Sequence, residues 1–404
     1  MNGAAAAIAQ PGAAGAGAGD AAGRFARVDQ VRGFAALIVV LCHMSVSAYV
    51  GAPNLGERPL PWLGLLLGFG YLGVPLFFVV SGFCIHWPQA RARHDGRAGA
   101  PGWRAFFQRR FWRLYPPYIL CLAATIVLLL VTTGVWPVGF YSLLAQVGLV
   151  HTLDPRTFLG LDPPSWTLAV EAQLYLAYPI VFLLTRRLGP WWAIATILFL
   201  TMVYRIALVV LPLPADFAQI GWEVFLARWF EWTAGALIAE WAAGNVRLPE
   251  RVATWWIVVP VVLVTIYVGE YHFWHFGIYL LREPLYGAAF ALVLMAALRQ
   301  RRAPAPSALA VWLGGVGVWS YSLYLVHRPI QLAFEPLARR VAAMPFVIRH
   351  AIPTSLLLFA ATTPLILWLA RVFYRWCEAP FIATARRIGR RPEAPARSRV
   401  AELA

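Results

Sequence analysis

The stretch RVDQVRGFAALIVVLCHMSVSAY, residues 27–49, decides the fold class of this protein. Ten apolar or small residues follow Arg32, and His43 then lies inside the apolar run. A helix of about 20 mainly apolar residues is long enough to cross the hydrocarbon core of a bilayer. The stretch therefore predicts a membrane-spanning helix with an ionisable side chain in its interior.

The composition of the whole chain agrees with this prediction. Apolar residues make up 60% of the 404 positions and charged residues 13%, whereas soluble domains carry about 25% charged residues. We predict a disordered tail rich in alanine and glycine over residues 1–23, a membrane domain over 24–385, and an arginine-rich cytoplasmic tail over 386–404. The fold class is an all-α integral membrane protein.

Ten segments are long and apolar enough to be predicted as membrane-spanning helices. They cover residues 31–50, 64–87, 115–134, 167–185, 190–212, 223–242, 252–270, 283–298, 312–333 and 349–374. Residues 139–151 are too few to cross a bilayer and are predicted to lie in its interface.

The arginines orient these ten helices. The chain has no lysine, so all 34 basic residues are arginine, and cytoplasmic loops retain positive charge. With a cytoplasmic N-terminus, 25 arginines fall on the inner side and seven on the outer side, which predicts a multi-pass protein with both termini cytoplasmic. Four of the seven outer arginines lie in residues 328–349 and fit the rule poorly.

The first span aligns three ionisable residues. His43 lies eleven residues beyond Arg32, which is ~16 Å along a helix and within ~20° of the same face. Asp29 lies on the same stripe, about 60° away. A histidine at this depth is either bonded structurally to a neighbouring helix or placed for chemistry, since neutral imidazole can act as a general base.

A cluster of arginines precedes the third span, in WRAFFQRRFWRLYPPY at residues 103–118. Arg110 and Arg113 are i,i+3 neighbours, and Arg109 lies one turn from Arg113, so their guanidinium groups can converge. The cluster is either a positive anchor on the inner surface or a site for a phosphate-rich ligand.

Two further spans carry polar side chains. Ser81 lies among small residues that allow close helix packing, and it could bond His43 or a substrate carbonyl. Glu171 is predicted near the outer end of the fourth span, in an ion pair with Arg205 or Arg228 or bound to a hydroxyl group.

The ninth span ends in polar aromatic residues, of which Tyr324 and His327 are the main candidates. They either anchor the helix at the interface or contact a substrate. The predicted order in depth is Arg110 and Arg113 inside, His43 in the middle, and Glu171 with His327 toward the outside.

Six blocks in this order resemble the acyltransferase 3 family of bacterial membrane O-acyltransferases, from about Arg27 to Phe381. The blocks are RVDQVRGFAALIVVLCH, GVPLFFVVSGF, RRFWRLYPPY, SWTLAVEAQLYLAYP, SYSLYLVHRPI and EAPF. The family's Arg-x10-His element falls on Arg32 and His43, and its Arg-x-x-Arg element on Arg110 and Arg113. Relatives often have a second acidic residue after Glu171, where this chain has Ala172.

The resemblance implies an acyl-CoA donor, commonly acetyl-CoA, and a hydroxyl of a cell-envelope glycan or other small-molecule or lipid-linked acceptor. His43, Arg32 and Asp29 are then the catalytic candidates. The donor-binding candidates are Arg110, Arg113, Arg109 and Ser81. The acceptor-binding candidates are Glu171, Tyr324 and His327. His43 either removes a proton or carries the acyl group transiently, and the sequence leaves both routes open.

Two other functions remain compatible with the sequence. A glycan or lipid transporter or flippase also uses buried ionisable groups, and an acyl-CoA-binding scaffold would bind the donor without turnover. No metal site, P-loop or GxSxG motif is present in the sequence, and no feature indicates nucleic-acid binding.

Overall fold

The computed structural model describes residues 16–50, 68–97, 99–158, 160–276, 280–299, 306–342, 344–345 and 351–388. Within these ranges the protein is all-helical and contains no strand. The α-helices are α1 (Ala16–Val50), α2 (Gly73–His94), α3 (Trp103–Thr133), α4 (Phe140–Val147), α5 (Trp166–Leu188), α6 (Pro190–Val210), α7 (Ala215–Gly221), α8 (Phe225–Ala243), α9 (Trp255–Phe276), α10 (Arg282–Arg299), α11 (Ala308–Val318), α12 (Ser320–Ala342), α13 (Ala351–Phe373) and α14 (Ala379–Arg387).

Four helical segments of the described chain are long and apolar enough to cross a membrane, and a fifth arises if α11 and α12 form one bent span. The four are Phe69–His94, Trp103–Thr133, Pro163–Leu188 and Pro190–Val210. Several other predicted spans are also helices, and in α8 and α10 charged side chains interrupt the apolar sequence. The helical class is confirmed, whereas the count of ten spans is not.

The structure extends the first predicted span at its start and joins the third span to the arginine segment that was predicted to run into it. α1 begins at Ala16, so the last eight residues of the stretch predicted as a disordered tail belong to a helix. α3 begins at Trp103, so the amphipathic arginine segment and the apolar span form one helix, with Pro116 and Pro117 inside it.

The predicted ninth span is two helices that meet at an angle of 74°. The bend follows Gly317, where α11 packs closely on α1. A Cβ atom on Gly317 would lie 1.8 Å from the carbonyl oxygen of Asp29, and one on Gly33 would lie 2.1 Å from that of Leu313. Contact this close requires glycine on both helices.

A second pair of glycines joins α2 to α8. A Cβ on Gly82 would lie 1.8 Å from the carbonyl oxygen of Trp232, and one on Gly235 would lie 1.8 Å from that of Val79. The prediction that Gly82 allows close helix contact is therefore confirmed. This contact also brings Ser81 of α2 against the Trp232 indole of α8.

Buried ion pairs join α6, α8 and α10. Arg205 binds Glu283 in a short hydrogen bond, and Arg228 binds Glu223 at 2.6 Å and Glu231 at 3.2 Å. Pairing of Glu171 with one of these two arginines was one of the alternatives that the sequence left open, and the structure does not show it. Nearer carboxylates pair with both of them.

The outward face of α6 is apolar. Its exposed side chains include Trp191, Trp192, Phe199, Val203, Ile206 and Val210. An exposed apolar surface of this length matches a lipid-facing helix better than one in contact with water.

Candidate active site

Five helices enclose a cavity of about 120 Å³: α1, α2, α3, α5 and α12. One side of the cavity is apolar and includes Phe77, Phe78 and Leu168. The polar side collects residues from all five helices, namely Arg32, Ser81, Arg110, Arg113, Thr167, Glu171, Tyr175, Ser320, Tyr321 and Tyr324. The cavity thus brings together six of the ten residues that the sequence singled out.

Two arginines of α3 give the cavity its charge. The Arg110 guanidinium lies over the rings of Phe106 and Tyr175, 5.6 and 6.0 Å from their centroids, and its Nε is buried with no hydrogen-bond partner. No carboxylate of the described residues lies within 4.0 Å of Arg110 or Arg113. Their positive charge is therefore available to an anionic ligand in the cavity.

Arg109 was predicted to join this cluster, and the structure places it elsewhere. It donates to the carbonyl oxygen of Ile388 at 3.5 Å, near the end of α14, and does not line the cavity. Adjacent residues of a helix point about 100° apart, and the packing of α3 directs Arg110 into the cavity and Arg109 toward Ile388.

Arg32 enters the cavity from α1. Its guanidinium lies 3.6 Å from the carboxylate of Asp29, one turn earlier. Asp29 itself is 8% exposed and does not line the cavity. The carboxylate is therefore placed to orient Arg32 and not to contact a ligand there.

Ser81 and Glu171 belong to one hydrogen-bonded group inside the cavity. The Glu171 carboxylate accepts from Ser81 at 2.9 Å and from the Tyr175 hydroxyl at 2.5 Å, while the Trp232 indole donates to Ser81 at 3.2 Å. The predicted bond between Ser81 and His43 was wrong. The Ser81 hydroxyl donates to Glu171 instead.

His43 lies outside the cavity lining. Because α1 is one unbroken helix from Ala16 to Val50, His43 lies ~16 Å along it from Arg32. Its Nδ1 is 3.0 Å from the carbonyl oxygen of Val39, which can only accept, so Nδ1 carries the hydrogen of the neutral ring. The lone pair of His43 is then on Nε2, the atom that a general base uses.

Tyr324 lies between the cavity and the two histidines. Its hydroxyl donates to the Pro164 carbonyl oxygen at 2.8 Å and accepts from Thr167 at 2.7 Å. Its ring centroid is 5.5 Å from that of His327, which in turn is 5.1 Å from that of His43. His327 was expected nearer the outer surface than His43, but the two rings are in contact.

The predicted order in depth also changes for Glu171. It lines the same cavity as Arg110 and Arg113, whereas it was expected to be separated from them by His43. The physical reason is the hydrogen bond from Ser81, which ties α5 to the arginine side of the cavity.

Tyr175 and Trp232 are among the residues of this site that the sequence did not single out. Tyr175 is four residues after Glu171, a spacing that places both side chains on one helix face and was a usable signal. Trp232 comes from α8, about 150 positions from Ser81, and no local pattern indicates the contact.

A loop before α5 holds further buried polar groups. Asp162 is 7% exposed, and its Oδ1 has no hydrogen-bond partner. Burial raises the pKa of Asp162 to about 7, although the positive charge of Arg328 opposes this change. His151, also buried, lies 3.3 Å from the Ser165 hydroxyl, and burial lowers the pKa of His151 to about 4.

Comparison with known proteins identifies the family of the chain. Residues 25–375 match the acyltransferase 3 family model, described as an acyltransferase domain. "Acyltransferase MdmB" of Streptomyces mycarofaciens is 26% identical over 317 residues, covering 74% of this chain and 76% of that protein. "Nodulation protein 10" of Rhizobium leguminosarum bv. viciae is 31% identical over 176 residues, covering 39% of this chain and 44% of that protein.

A third relative, "Protein 2 in picA locus" of Rhizobium radiobacter, is 29% identical over 185 residues, covering 45% of this chain and 81% of that protein. No solved structure matches the chain. The family model covers most of the chain and includes the cavity helices α2, α3, α5 and α12 in full. The chain therefore belongs to the acyltransferase 3 family, and it is an enzyme that transfers acyl groups other than aminoacyl groups.

Proposed function

We propose that this protein is a membrane O-acyltransferase that moves an acyl group, acetyl in the simplest case, from cytoplasmic acyl-CoA to a hydroxyl of its acceptor. The acceptor is a cell-envelope glycan or a small or lipid-linked molecule with a hydroxyl group. The observation that carries the proposal is the cavity in which Arg110 and Arg113 have no carboxylate partner.

The charge of the cavity supports an anionic donor. Arg32, Arg110 and Arg113 lie in its lining against the single carboxylate of Glu171. Guanidinium groups bind phosphate through paired hydrogen bonds, and a desolvated cation without a partner destabilises the protein until an anion binds. The phosphates of coenzyme A would supply that anion.

The distance between the cationic cavity and His43 supports the same donor. About 16 Å of helix separates Arg32 from His43, so a ligand that contacts both must be long. Coenzyme A has this form, with phosphates at one end and a thioester at the end of its pantetheine arm. The small apolar side of the cavity suits that arm and a short acyl chain.

In the reaction, His43 Nε2 takes the proton of the acceptor hydroxyl as its oxygen attacks the thioester carbonyl carbon. The new C–O bond forms, the C–S bond breaks, and the leaving thiolate takes the proton back from the imidazolium. The products are the ester and free coenzyme A. In the second route, Nε2 attacks the thioester carbonyl carbon and the C–S bond breaks. The acceptor oxygen then displaces the acyl group from the imidazole, and the coenzyme A thiolate takes the proton of the hydroxyl.

The acceptor hydroxyl has to reach His43. The rings of His43 and His327 form what we call the histidine pair. Tyr324 and Glu171 provide hydroxyl and carboxylate groups on its cavity side, and we keep both as candidate contacts for the acceptor. The names of the three relatives specify no acceptor, so we leave its class at a hydroxyl compound.

We also propose the full membrane arrangement, with ten spans and both termini on the cytoplasmic side of a bacterial inner membrane. The candidate spans of the described residues support the second to fifth predicted spans and, as a bent pair, the ninth. The excess of arginine in the inner segments supports its orientation. In this orientation the arginine cavity opens toward the cytoplasmic half, where acyl-CoA is present.

The proposal is tested with membranes that contain the full chain, acetyl-CoA labelled in the acetyl group, and an extract of envelope glycans and small hydroxyl compounds. The wild type should label an acceptor and release coenzyme A. His43→Ala should lower the rate about 10²- to 10⁴-fold, the range that a positioned base contributes.

Unchanged labelling by His43→Ala would contradict the role of the histidine. Absence of thioester cleavage by the wild type, together with acceptor movement across the membrane that needs no acyl-CoA, would replace the proposal with a transporter. Donor binding without cleavage would indicate a scaffold.

A further inference from the structure

Three groups follow one another in a hydrogen-bonded line outside the cavity. His327 Nδ1 lies 2.6 Å from the carbonyl oxygen of Tyr324, and His327 Nε2 lies 3.3 Å from His43 Nδ1. His43 Nδ1 is also within 3.0 Å of the Val39 carbonyl oxygen.

The two carbonyl groups fix where the hydrogens are. A carbonyl oxygen accepts and never donates, so Nδ1 carries the hydrogen in both His327 and His43. In a neutral ring the other nitrogen has the lone pair. The one Nδ1 hydrogen of His43 is therefore shared between the Val39 carbonyl oxygen at 3.0 Å and His327 Nε2 at 3.3 Å, and His43 keeps its lone pair on Nε2.

We infer that His327 is a positioning residue for His43: it accepts the Nδ1 hydrogen, orients the ring, and stabilises the imidazolium that forms when Nε2 takes a proton. This inference rests on the proposed function. The arrangement has the logic of a catalytic triad, in which the third residue accepts from Nδ1 of the base and sets its tautomer. Here the acceptor is an imidazole and not a carboxylate.

The burial of His327 supports a positioning role over contact with the acceptor. The residue is 0% exposed, and both of its ring nitrogens already have partners within the protein. No carboxylate of the described residues lies within 4.0 Å of its ring, so no acidic partner stabilises a charged His327. The nearby charged group is Arg328, which also disfavours a second positive charge at this position.

The experiment compares His327→Leu with His327→Gln in the full chain. Leucine removes the acceptor, and we expect kcat to fall about 10- to 100-fold, the range seen when a supporting hydrogen-bond partner is lost. The KM values for donor and acceptor should change less than about threefold, because neither substrate contacts His327. The glutamine side-chain oxygen can accept from His43, so His327→Gln should recover most of kcat.

His86→Gln is the matched control. His86 is also buried and is bonded through both ring nitrogens, to Tyr178 and Glu240, but it lies outside the cavity lining and the histidine pair. This variant should keep the kcat of the wild type.

Nitrogen NMR of the wild type labelled with ¹⁵N-histidine provides a measurement that does not depend on activity or on how the variants fold. Nδ1 of His43 and of His327 should be protonated, and Nε2 of each should have a lone pair. A hydrogen on Nε2 of His43 would overturn the inference.

Wild-type kcat in His327→Leu, or a loss confined to the KM of the acceptor, would also overturn it. The latter would restore the acceptor-binding role that the sequence indicated. If the wild type cleaves no thioester, the proposed function fails, and the NMR measurement still decides the tautomer.

Discussion

The arginine cavity and the histidine pair differ in how their polar groups are satisfied. In the cavity, Arg110 has a buried Nε without a partner, and neither Arg110 nor Arg113 has a carboxylate within 4.0 Å. In the histidine pair, Nδ1 of each ring contacts a backbone carbonyl oxygen and the two rings contact each other.

The difference indicates a division of work between the two regions. Cations that the protein leaves without counter-charge lower its stability, and they become favourable only when a ligand supplies the anion. Imidazoles that the backbone holds in one tautomer are ready for proton transfer before any ligand arrives. Under the proposed function, the cavity binds the donor and the histidine pair performs the proton transfer.

Among the substitutions that test this separation of binding from chemistry, removal of one cavity arginine should have the largest effect. In Arg110→Gln or Arg113→Gln, we expect the KM for acyl-CoA to rise about 10- to 100-fold, since a hydrogen bond to a charged group contributes about 1.5–3 kcal/mol. Steady-state kinetics with varied acyl-CoA measures this. Arg109→Gln is the matched control, because Arg109 binds Ile388 outside the cavity, and its KM should not change.

An equal rise of KM in all three variants would show that the region acts only through its net charge. A fall in kcat with unchanged KM in Arg110→Gln would contradict the separation of binding from chemistry.

Neutralising the carboxylate of the cavity should have a smaller and opposite effect. Glu171→Gln removes the one carboxylate of the cavity lining, so the KM for acyl-CoA should fall about two- to fivefold, equivalent to about 0.5–1 kcal/mol. Tyr175→Phe removes a hydrogen bond to Glu171 and no charge, and serves as the control. A rise in the KM of the acceptor alone would assign Glu171 to the acceptor.

The smallest expected effect concerns Asp162, outside both regions. Its pKa is raised to about 7, so between about pH 4 and 7 the folded state holds a proton that the unfolded state has lost. The free energy of unfolding should therefore fall as pH rises through this window.

Asp162→Asn keeps the shape of the side chain and removes its ionisable group. Its Tm should exceed that of the wild type by about 2–4 °C at about pH 8 and by less at about pH 5. Thermal unfolding in detergent measures the Tm of the variant and of the wild type at both pH values. An equal difference between the two proteins at about pH 8 and at about pH 5 would show that Asp162 is not protonated in the folded state.

Much of the fold and of the site could be predicted from the sequence because it depends on local pattern. Apolar runs define helices such as α5 and α6 within a few residues. Helical spacing places Arg32 and His43 on one face, and Arg110 beside Arg113. The ordered sequence blocks also indicate the family before any contact is known.

Contacts between distant segments could not be predicted. Ser81 has two partners, on α5 and α8, and neither was predicted, since the close approach of α2 to α8 depends on glycines in both helices. Arg109 and Arg110 are adjacent and chemically identical, but the rotation of α3 against its neighbours directs one to Ile388 and the other into the cavity.

The sequence alone was enough to indicate a helical protein of the acyltransferase 3 family with a histidine inside its first helix, because the apolar runs and the ordered sequence blocks are local properties. Only the tertiary structure decided that His43 lies beside His327 and outside the arginine cavity. Those positions depend on the bend between α11 and α12 and on how closely α1 packs there, which no single segment contains.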